Sequence, residues 1–237
     1  MEATATRRAG LERFTFPSGS KPYFVLDLAN DLPVSFAGGE LTIDPNQGRI
    51  TIGGKWGSRS APLWYKTTIG QYTSTSSFGP PRFDYQAFAC YDLLDNGKQK
   101  LDEFGVWTGD MFGLDAKGLG MTHLNLSLNL IGGVYQSGAL FSYSGQPEQV
   151  NIRVGISFVS TDQACTNAEE EIGTTSFDDI HARAKALWQE KLSKIEIDVS
   201  GTAPNITEML YSSLYRASLT PVGSHTRASL DYFWHSV

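Results

Sequence analysis

Six of the acidic residues between positions 84 and 115 are the side chains whose type could do chemistry in this sequence. Two carboxyl groups held about 5 to 10 Å apart can act as general acid and general base on a glycosidic bond. A solvated position at a turn or strand end is the commonest state of an acidic residue, however. The sequence therefore assigns no catalytic residue among the candidates, which are Asp84, Asp92, Asp102, Glu103, Asp110 and Asp115.

Residues 92–103 resemble a calcium-binding loop in the placing of their first acidic residue, their central glycine and their final glutamate. Two positions that need oxygen ligands are occupied instead by Leu94 and Lys100. Asn96 and Gly97 are better interpreted as the turn of a β-hairpin.

Other catalytic motifs are also incomplete. The glycines of residues 48–55 resemble a phosphate-binding loop, but Trp56 follows the lysine where Ser or Thr is required. The chain has no Gly-x-Ser-x-Gly nucleophile motif and no His-Glu-x-x-His metal pair. We expect no catalytic residue, no metal ligand and no cofactor-binding residue in this chain.

One polar surface could bind a substrate without catalysing a reaction. Residues 121–130 alternate between leucines and polar side chains, which predicts a strand with one dry face and one wet face. Trp107, nearby in sequence, could supply an aromatic platform for a sugar. The substrate-binding candidates are His123, Asn125 and Trp107.

The two cysteines, Cys90 and Cys165, do not have the spacing of a metal site. We favour buried core thiols over a disulfide bridge and leave the bridge open. Two glycosylation sequons, which begin at Asn125 and Asn205, hint at passage through a secretory compartment.

The elements that would position these residues are mostly strands. Period-two alternation runs from residue 10 to about 160, with a predicted hairpin of 40–44 and 49–52 and a last strong strand over 150–158. Many short alternating segments separated by Gly, Pro and Asn indicate an antiparallel β-sandwich.

The period then changes to that of helices. Residues 176–194 are predicted to be a helix capped by Ser176 with Asp179. Residues 205–221 are predicted to be a second helix, with Asn205 as its N-cap and Pro221 at its end. Two amphipathic helices must bury their apolar faces on the sandwich, on each other or on something else.

Charge and hydropathy exclude some partners. The formal net charge of -6, with scattered Lys and Arg, gives no basic surface for nucleic acid. No run of about 18 apolar residues predicts a membrane span. The first eight residues lack the apolar segment of a secretory signal, so the chain as written is expected in the cytosol.

Several segments together resemble glycoside hydrolase family 92, the exo-acting α-mannosidases, particularly those of fungal type. The resemblance covers most of residues 4–221 and is most specific at 154–160 with Gln163, Ala164, Cys165 and Asn167. Its other segments are 4–17, 48–54, 84–92, 207–211 and 214–215.

The resemblance implies an N-terminal β-sandwich of galactose-mutarotase-like supersandwich type, followed by a pair of helices and an (α/α)6 barrel that is missing here. It implies an incomplete sandwich over 4–160, a linker with its connecting helix over 161–200, and the first barrel helix over 201–221. Intact relatives trim mannose-containing N-glycans with inversion and with calcium, and some are secreted. We expect a fragment that is inactive alone. A stand-alone carbohydrate-binding module and a structural partner of a separate helical chain remain alternatives.

Two segments do not match the family pattern. Residues 59–76 interrupt it, as a retained intron or a lineage-specific loop would, and residues 222–237 form a tail that does not match. A sandwich that begins inside the family pattern would expose a strand edge, so we expect low solubility.

Overall fold

The computed structural model describes residues 1–28, 36–56, 85–94, 101–109, 116–126, 136–197, 200–201 and 203–218. The segments predicted to be inserted (59–76) and non-matching (222–237) lie outside the described residues, as does the proposed turn at Asn96 and Gly97. The chain divides into two compact units, Met1–Thr174 and Thr175–Val237.

The first unit contains two antiparallel sheets, which confirms the predicted β-sandwich. The larger sheet has seven strands in the order β1-β2-β11-β6-β5-β4-β9, and the smaller has four in the order β3-β10-β7-β8. The strands are β1 (Glu2–Ala5), β2 (Ala9–Thr15), β3 (Tyr23–Asp27), β4 (Phe36–Asp44), β5 (Arg49–Trp56), β6 (Tyr85–Leu94), β7 (Leu101–Gly109), β8 (Ala116–Leu119), β9 (His123–Leu126), β10 (Gln136–Tyr143) and β11 (Gln149–Ser157).

The hydrophobic core lies between the two sheets. Leu41 and Ile50 of the larger sheet and Ala139 of the smaller sheet are fully buried in one cluster. Within it, the ring of Phe24 stacks on that of Phe141 with centroids 5.0 Å apart. Because alternate residues of each strand enter this core, the other face of the larger sheet is free to carry a different layer.

That layer is a helix, α1 (Thr161–Glu171), which the sequence analysis did not predict. The hydroxyl oxygen of Ser160 caps it by accepting a hydrogen bond from the Gln163 backbone N–H at 3.0 Å. The helix packs close to the sheet at Gly155, where an added Cβ would lie 2.0 Å from the Ala164 carbonyl oxygen. Its contact residues are small, so its sequence shows no strong apolar stripe.

The helix also changes the burial pattern of β11. The predicted dry face is confirmed at Val150 and Ile152, which are buried. Towards the end of the strand the pattern inverts, because Gly155 and Ser157 are buried while Ile156 is 51% exposed. The alternation therefore predicted the strand but not the second layer on its other face.

A disulfide joins Cys90 of β6 to Cys165 of α1, with the two Cα atoms 5.0 Å apart. The preference for two buried thiols was therefore wrong, although both positions are buried as expected. The sequence separation of 75 gave no spacing signal, and only the contact of α1 with the sheet brings the two cysteines together.

The predicted hairpin of β4 and β5 is confirmed, with Asp44 paired to Arg49 at its closed end. The hairpin expected between β6 and β7 is wrong, because these strands belong to different sheets. An Asn-Gly pair between two strands is compatible both with a hairpin and with a connection from one sheet to the other.

The second unit contains α2 (Phe177–Leu192) and α3 (Pro204–Ser218), close to the two predicted helices. Ser176 caps α2 as expected, accepting from the Asp179 backbone N–H at 3.2 Å. The second helix begins at Pro204, so the predicted N-cap Asn205 lies inside its first turn. The rings of Trp188 and Tyr215 connect α2 to α3 with centroids 4.6 Å apart.

Candidate functional site

One highly connected polar group among the described residues of the first unit is the carboxylate of Asp92, on the α1 side of the larger sheet. Arg153 of β11 donates from Nε to its Oδ2 atom at 2.9 Å, and Arg49 of β5 donates from Nε to its Oδ1 atom at 2.6 Å. Only about a tenth of the Asp92 and Arg153 side chains is exposed (9% and 10%). The strand register explains this cluster, because Asp92 is paired with Arg153 on one side and with Arg49 on the other.

Both arginines continue this network into α1 and its C-terminal end. Arg49 donates from Nη2 to Glu169 at 2.7 Å, and Arg153 donates from Nη1 to the Gly173 carbonyl oxygen at 2.6 Å. Gly173 has a φ of 56°, the left-handed conformation that commonly follows a helix. A cation at the C-terminal end of a helix also interacts favourably with its dipole. The network therefore fixes α1 to the sheet.

A second polar contact anchors the last residue of α1. Glu171 accepts hydrogen bonds from the Thr6 hydroxyl at 2.6 Å, from the Arg8 backbone N–H at 2.8 Å and from Arg8 Nε at 2.9 Å. Burial alone would raise the pKa of Glu171, but these hydrogen bonds and the charge of Arg8 outweigh it and lower the pKa. Glu171 is therefore a fixed anion rather than a proton donor at neutral pH.

Of the predicted substrate-binding residues, His123 and Asn125 lie two residues apart on β9, an edge strand among those described. Both side chains are exposed, and the intervening Leu124 packs against the core, as the alternation predicted. The His123 Nδ1 atom is 3.2 Å from the Thr42 hydroxyl oxygen. These residues form one polar surface on β9 and β4.

Trp107 lies on β7 of the other sheet, so the structure does not place it on that surface. Its indole Nε1 donates to the Leu26 carbonyl oxygen at 3.2 Å. Gly138 makes room for this contact, because an added Cβ there would lie 2.9 Å from Nε1. The indole N–H is therefore used inside the sheet, and sugar binding by the three candidates stays a prediction.

Two more of the acidic candidates, Asp102 and Glu103, lie within the described residues. Asp102 and Glu103 are exposed and contact Lys21 at 2.6 and 3.2 Å. Glu12 differs from them, since burial raises its pKa. The other candidates, Asp84, Asp110 and Asp115, lie outside the described residues.

Glu12 and Glu171 lie on opposite sides of the larger sheet. Glu12 is paired with Ile152, a core residue, so its side chain is on the core face. Tyr91 shares that face, and burial followed by the charge of Glu12 raises its pKa to about 12. Glu171 belongs to α1 on the other face. A single sugar ring cannot lie between two carboxyls that a sheet separates.

Within the part of the chain that the structure describes, no group of three or more His, Cys, Asp or Glu side chains could hold a metal ion. No described helix has the length and hydropathy needed to cross a membrane.

The fold and its polar contacts define the chain as a β-sandwich protein with helices that follow the sandwich. The chain combines an antiparallel sandwich with helices that follow it, and its buried charges fix a helix to a sheet. This is the organisation of a β-sandwich domain followed in sequence by a separate helical unit.

Comparison with known families identifies the chain as a member of glycoside hydrolase family 92. The model of the glycosyl hydrolase family 92 N-terminal domain matches residues 1–157, and that of the family's catalytic domain matches residues 163–234. The resemblance stated from the sequence is confirmed.

Individual relatives show that the chain is a fragment. An uncharacterized secreted glycosidase from Arthroderma benhamiae is 28% identical over 229 residues, which are 93% of this chain and 26% of that protein. The GH92 family glycosyl hydrolase ccman5 has a similar fold, with a TM-score of 0.65, 20% identity, and coverage of 95% of this chain and 25% of its own. An inverting mannosidase of family GH92 from Bacteroides thetaiotaomicron gives a TM-score of 0.63 at 20% identity, over 92% of this chain and 24% of its own. The chain thus spans about a quarter of the length of these relatives.

Proposed function

We propose that this chain is the sandwich and connecting part of a calcium-dependent, inverting exo-α-mannosidase that acts on mannose-containing N-glycans, and that it is inactive alone. Membership of family 92 and the inverting mannosidase among the similar structures support the reaction class. The proposed inactivity of the chain alone depends on one observation, that the larger sheet separates Glu12 from Glu171.

The chemistry explains why this separation matters. Inversion needs one protonated carboxyl and one carboxylate on opposite faces of a sugar, about 6.5 to 9.5 Å apart. Each of these groups contributes about 10² to 10⁴ to the rate. Glu12 is turned towards the core and Glu171 is paired with Arg8, so we expect both catalytic groups to come from elsewhere in the enzyme.

Release of mannose tests this proposal directly. The purified chain is incubated with calcium and a high-mannose N-glycan, and free mannose is measured beside a mock purification from the same host. The expected release equals that of the mock sample. Release that rises in proportion to the concentration of the chain would contradict the proposed inactivity.

The complete parent protein tests the mechanism separately. We expect it to release mannose, to lose activity with a chelator and to recover with calcium. The first product seen by NMR should be β-mannose, the inverted anomer. Retained α-mannose, or full activity in the chelator, would contradict the corresponding part of the proposal.

The exposed pair on β9 keeps one alternative open, a stand-alone carbohydrate-binding module. Titration calorimetry with mannosides should then give heat with the isolated chain, and His123→Ala should reduce that heat. The matched control is Asn46→Gln, because Asn46 is exposed in the turn between β4 and β5. The third alternative, a structural partner, predicts a stable complex when the chain is co-expressed with a separate helical chain.

A further inference from the structure

We propose that Asn125 carries an N-linked glycan and is a modification site rather than a sugar-recognition residue. The sequence Asn125-Leu126-Ser127 is a glycosylation acceptor. A sequon of three residues arises often by chance, so the argument depends on where the structure places the asparagine and on the compartment through which the chain passes.

The placement is suitable for a large substituent. The Asn125 side chain is exposed on β9, and its cross-strand neighbour Glu40 is exposed as well. Leu124 packs against the core, so the alternation of the strand turns Asn125 away from it. A glycan attached here would extend into solvent without displacing any core residue.

The compartment is indicated by the disulfide. Cys90 and Cys165 are joined within the first unit, and such structural bridges persist in oxidising compartments but are rare in the cytosol. The Arthroderma benhamiae relative, described as secreted, is consistent with that route. The bridge and the sequon are independent features of the sequence, and a stable bridge and an attached glycan are both typical of the secretory route.

The position on the sheet gives the glycan a physical effect. Among the described strands, β9 forms one edge of the larger sheet and pairs only with β4. An open edge is a template for pairing with another chain, and bulky hydrophilic groups oppose such contacts. A glycan beside this edge would therefore reduce self-association.

The experiment expresses the complete gene in a filamentous fungus without an added leader. The protein from both medium and cells is treated with a peptide N-glycosidase in heavy-oxygen water, which converts each glycosylated Asn to labelled Asp. We expect label at position 125 and the loss of one glycan from Asn125→Gln. We expect the same loss from Ser127→Ala, which keeps the asparagine. Asn46→Gln, at an exposed asparagine outside any sequon, should leave the glycan count unchanged.

Two results would overturn the proposal. Unlabelled Asn125 in the recovered protein would do so, whether or not Asn205 is labelled and whether or not the bridge has formed. An unchanged glycan count in Ser127→Ala would do so as well.

Discussion

Replacing both cysteines of the Cys90–Cys165 bridge by alanine should destabilise the first unit strongly. The bridge closes a loop of 75 residues, and it attaches α1 to β6. Without it, the unfolded chain gains the conformational freedom that loop closure removes. The native contacts of α1 with Gly155 and Arg49 remain, so the folded state should keep its structure.

The magnitude follows from the length of the loop. For 75 residues, the chain-entropy estimate is about 15 cal/mol/K, or about 4.5 kcal/mol at 25 °C. For a protein of this size, each kcal/mol shifts the Tm by about 2 to 4 °C. We therefore expect the midpoint of thermal unfolding to fall by about 10 °C or more.

Urea unfolding followed by circular dichroism measures the change, on oxidised wild type, reduced wild type and the double variant. Reduced wild type is the volume-matched control, because it keeps both sulfur atoms and loses only the bond. The reductant should have no effect on the double variant. A difference below about 1 kcal/mol between oxidised and reduced wild type would refute the reasoning, since it would mean that the bridge does not restrict the unfolded chain.

The remaining predictions concern the attachment of α1 to the sheet. Asp92→Asn should destabilise the unit by about 3 kcal/mol in urea unfolding, because it leaves two arginines without their shared carboxylate. Asp102→Asn, at an exposed ion pair, should leave the midpoint unchanged. Equal midpoints for the two variants would contradict this expectation. Glu171, whose pKa is lowered from its ordinary value of 4.5, contributes stability that is present above pH 4.5 and is lost as the pH falls through its lower folded pKa. Glu171→Gln should therefore be less stable than wild type at pH 7 and show a smaller loss of stability on acidification, and parallel stability curves would argue against this role. Gly155→Ala should lower the free energy of unfolding by about 1 to 3 kcal/mol, because the added Cβ would overlap the α1 backbone. Gly10→Ala is the control, since the nearest atom to its added Cβ is 3.4 Å away, and it should have a clearly smaller effect on the melting midpoint.

The sequence predicted those parts of the fold that depend on near neighbours along the chain. The turn between β4 and β5 and the Ser176 cap are local, since their partners lie within a few residues. The dry and wet faces of β9 follow from alternation alone. These patterns were sufficient for the sandwich and for both helices of the second unit.

Helix α1 could not be recognised in this way. Its buried residues Ala164, Cys165 and Ala168 have small side chains, which give no strong apolar stripe. Its buried Asn167 donates to the Ile156 carbonyl oxygen at 2.8 Å, so one position on its inner face is polar. A helix that packs through small and polar residues resembles a loop when only periodicity is considered.

The contacts of the candidate site depend on pairings between distant residues. Asp92 is 43 residues from Arg49 and 61 from Arg153, and no local pattern specifies these partners. The buried arginine of β11 was a usable signal, because a charge in the middle of a strand needs a partner when a second layer covers it. Without knowledge of α1, Arg153 looked like an ordinary residue on a solvated face.

The place of β2 in the larger sheet has a consequence for synthesis on the ribosome. Ala9 of this early strand is paired with Gly155 of β11, the last strand of the sandwich. At about 5 to 20 residues per second, roughly 7 to 30 s separate the translation of these two residues. During that interval Leu11 and Phe14 lack their β11 partners Arg153 and Val150, so this side of the larger sheet stays incomplete until the closing strand emerges from the exit tunnel.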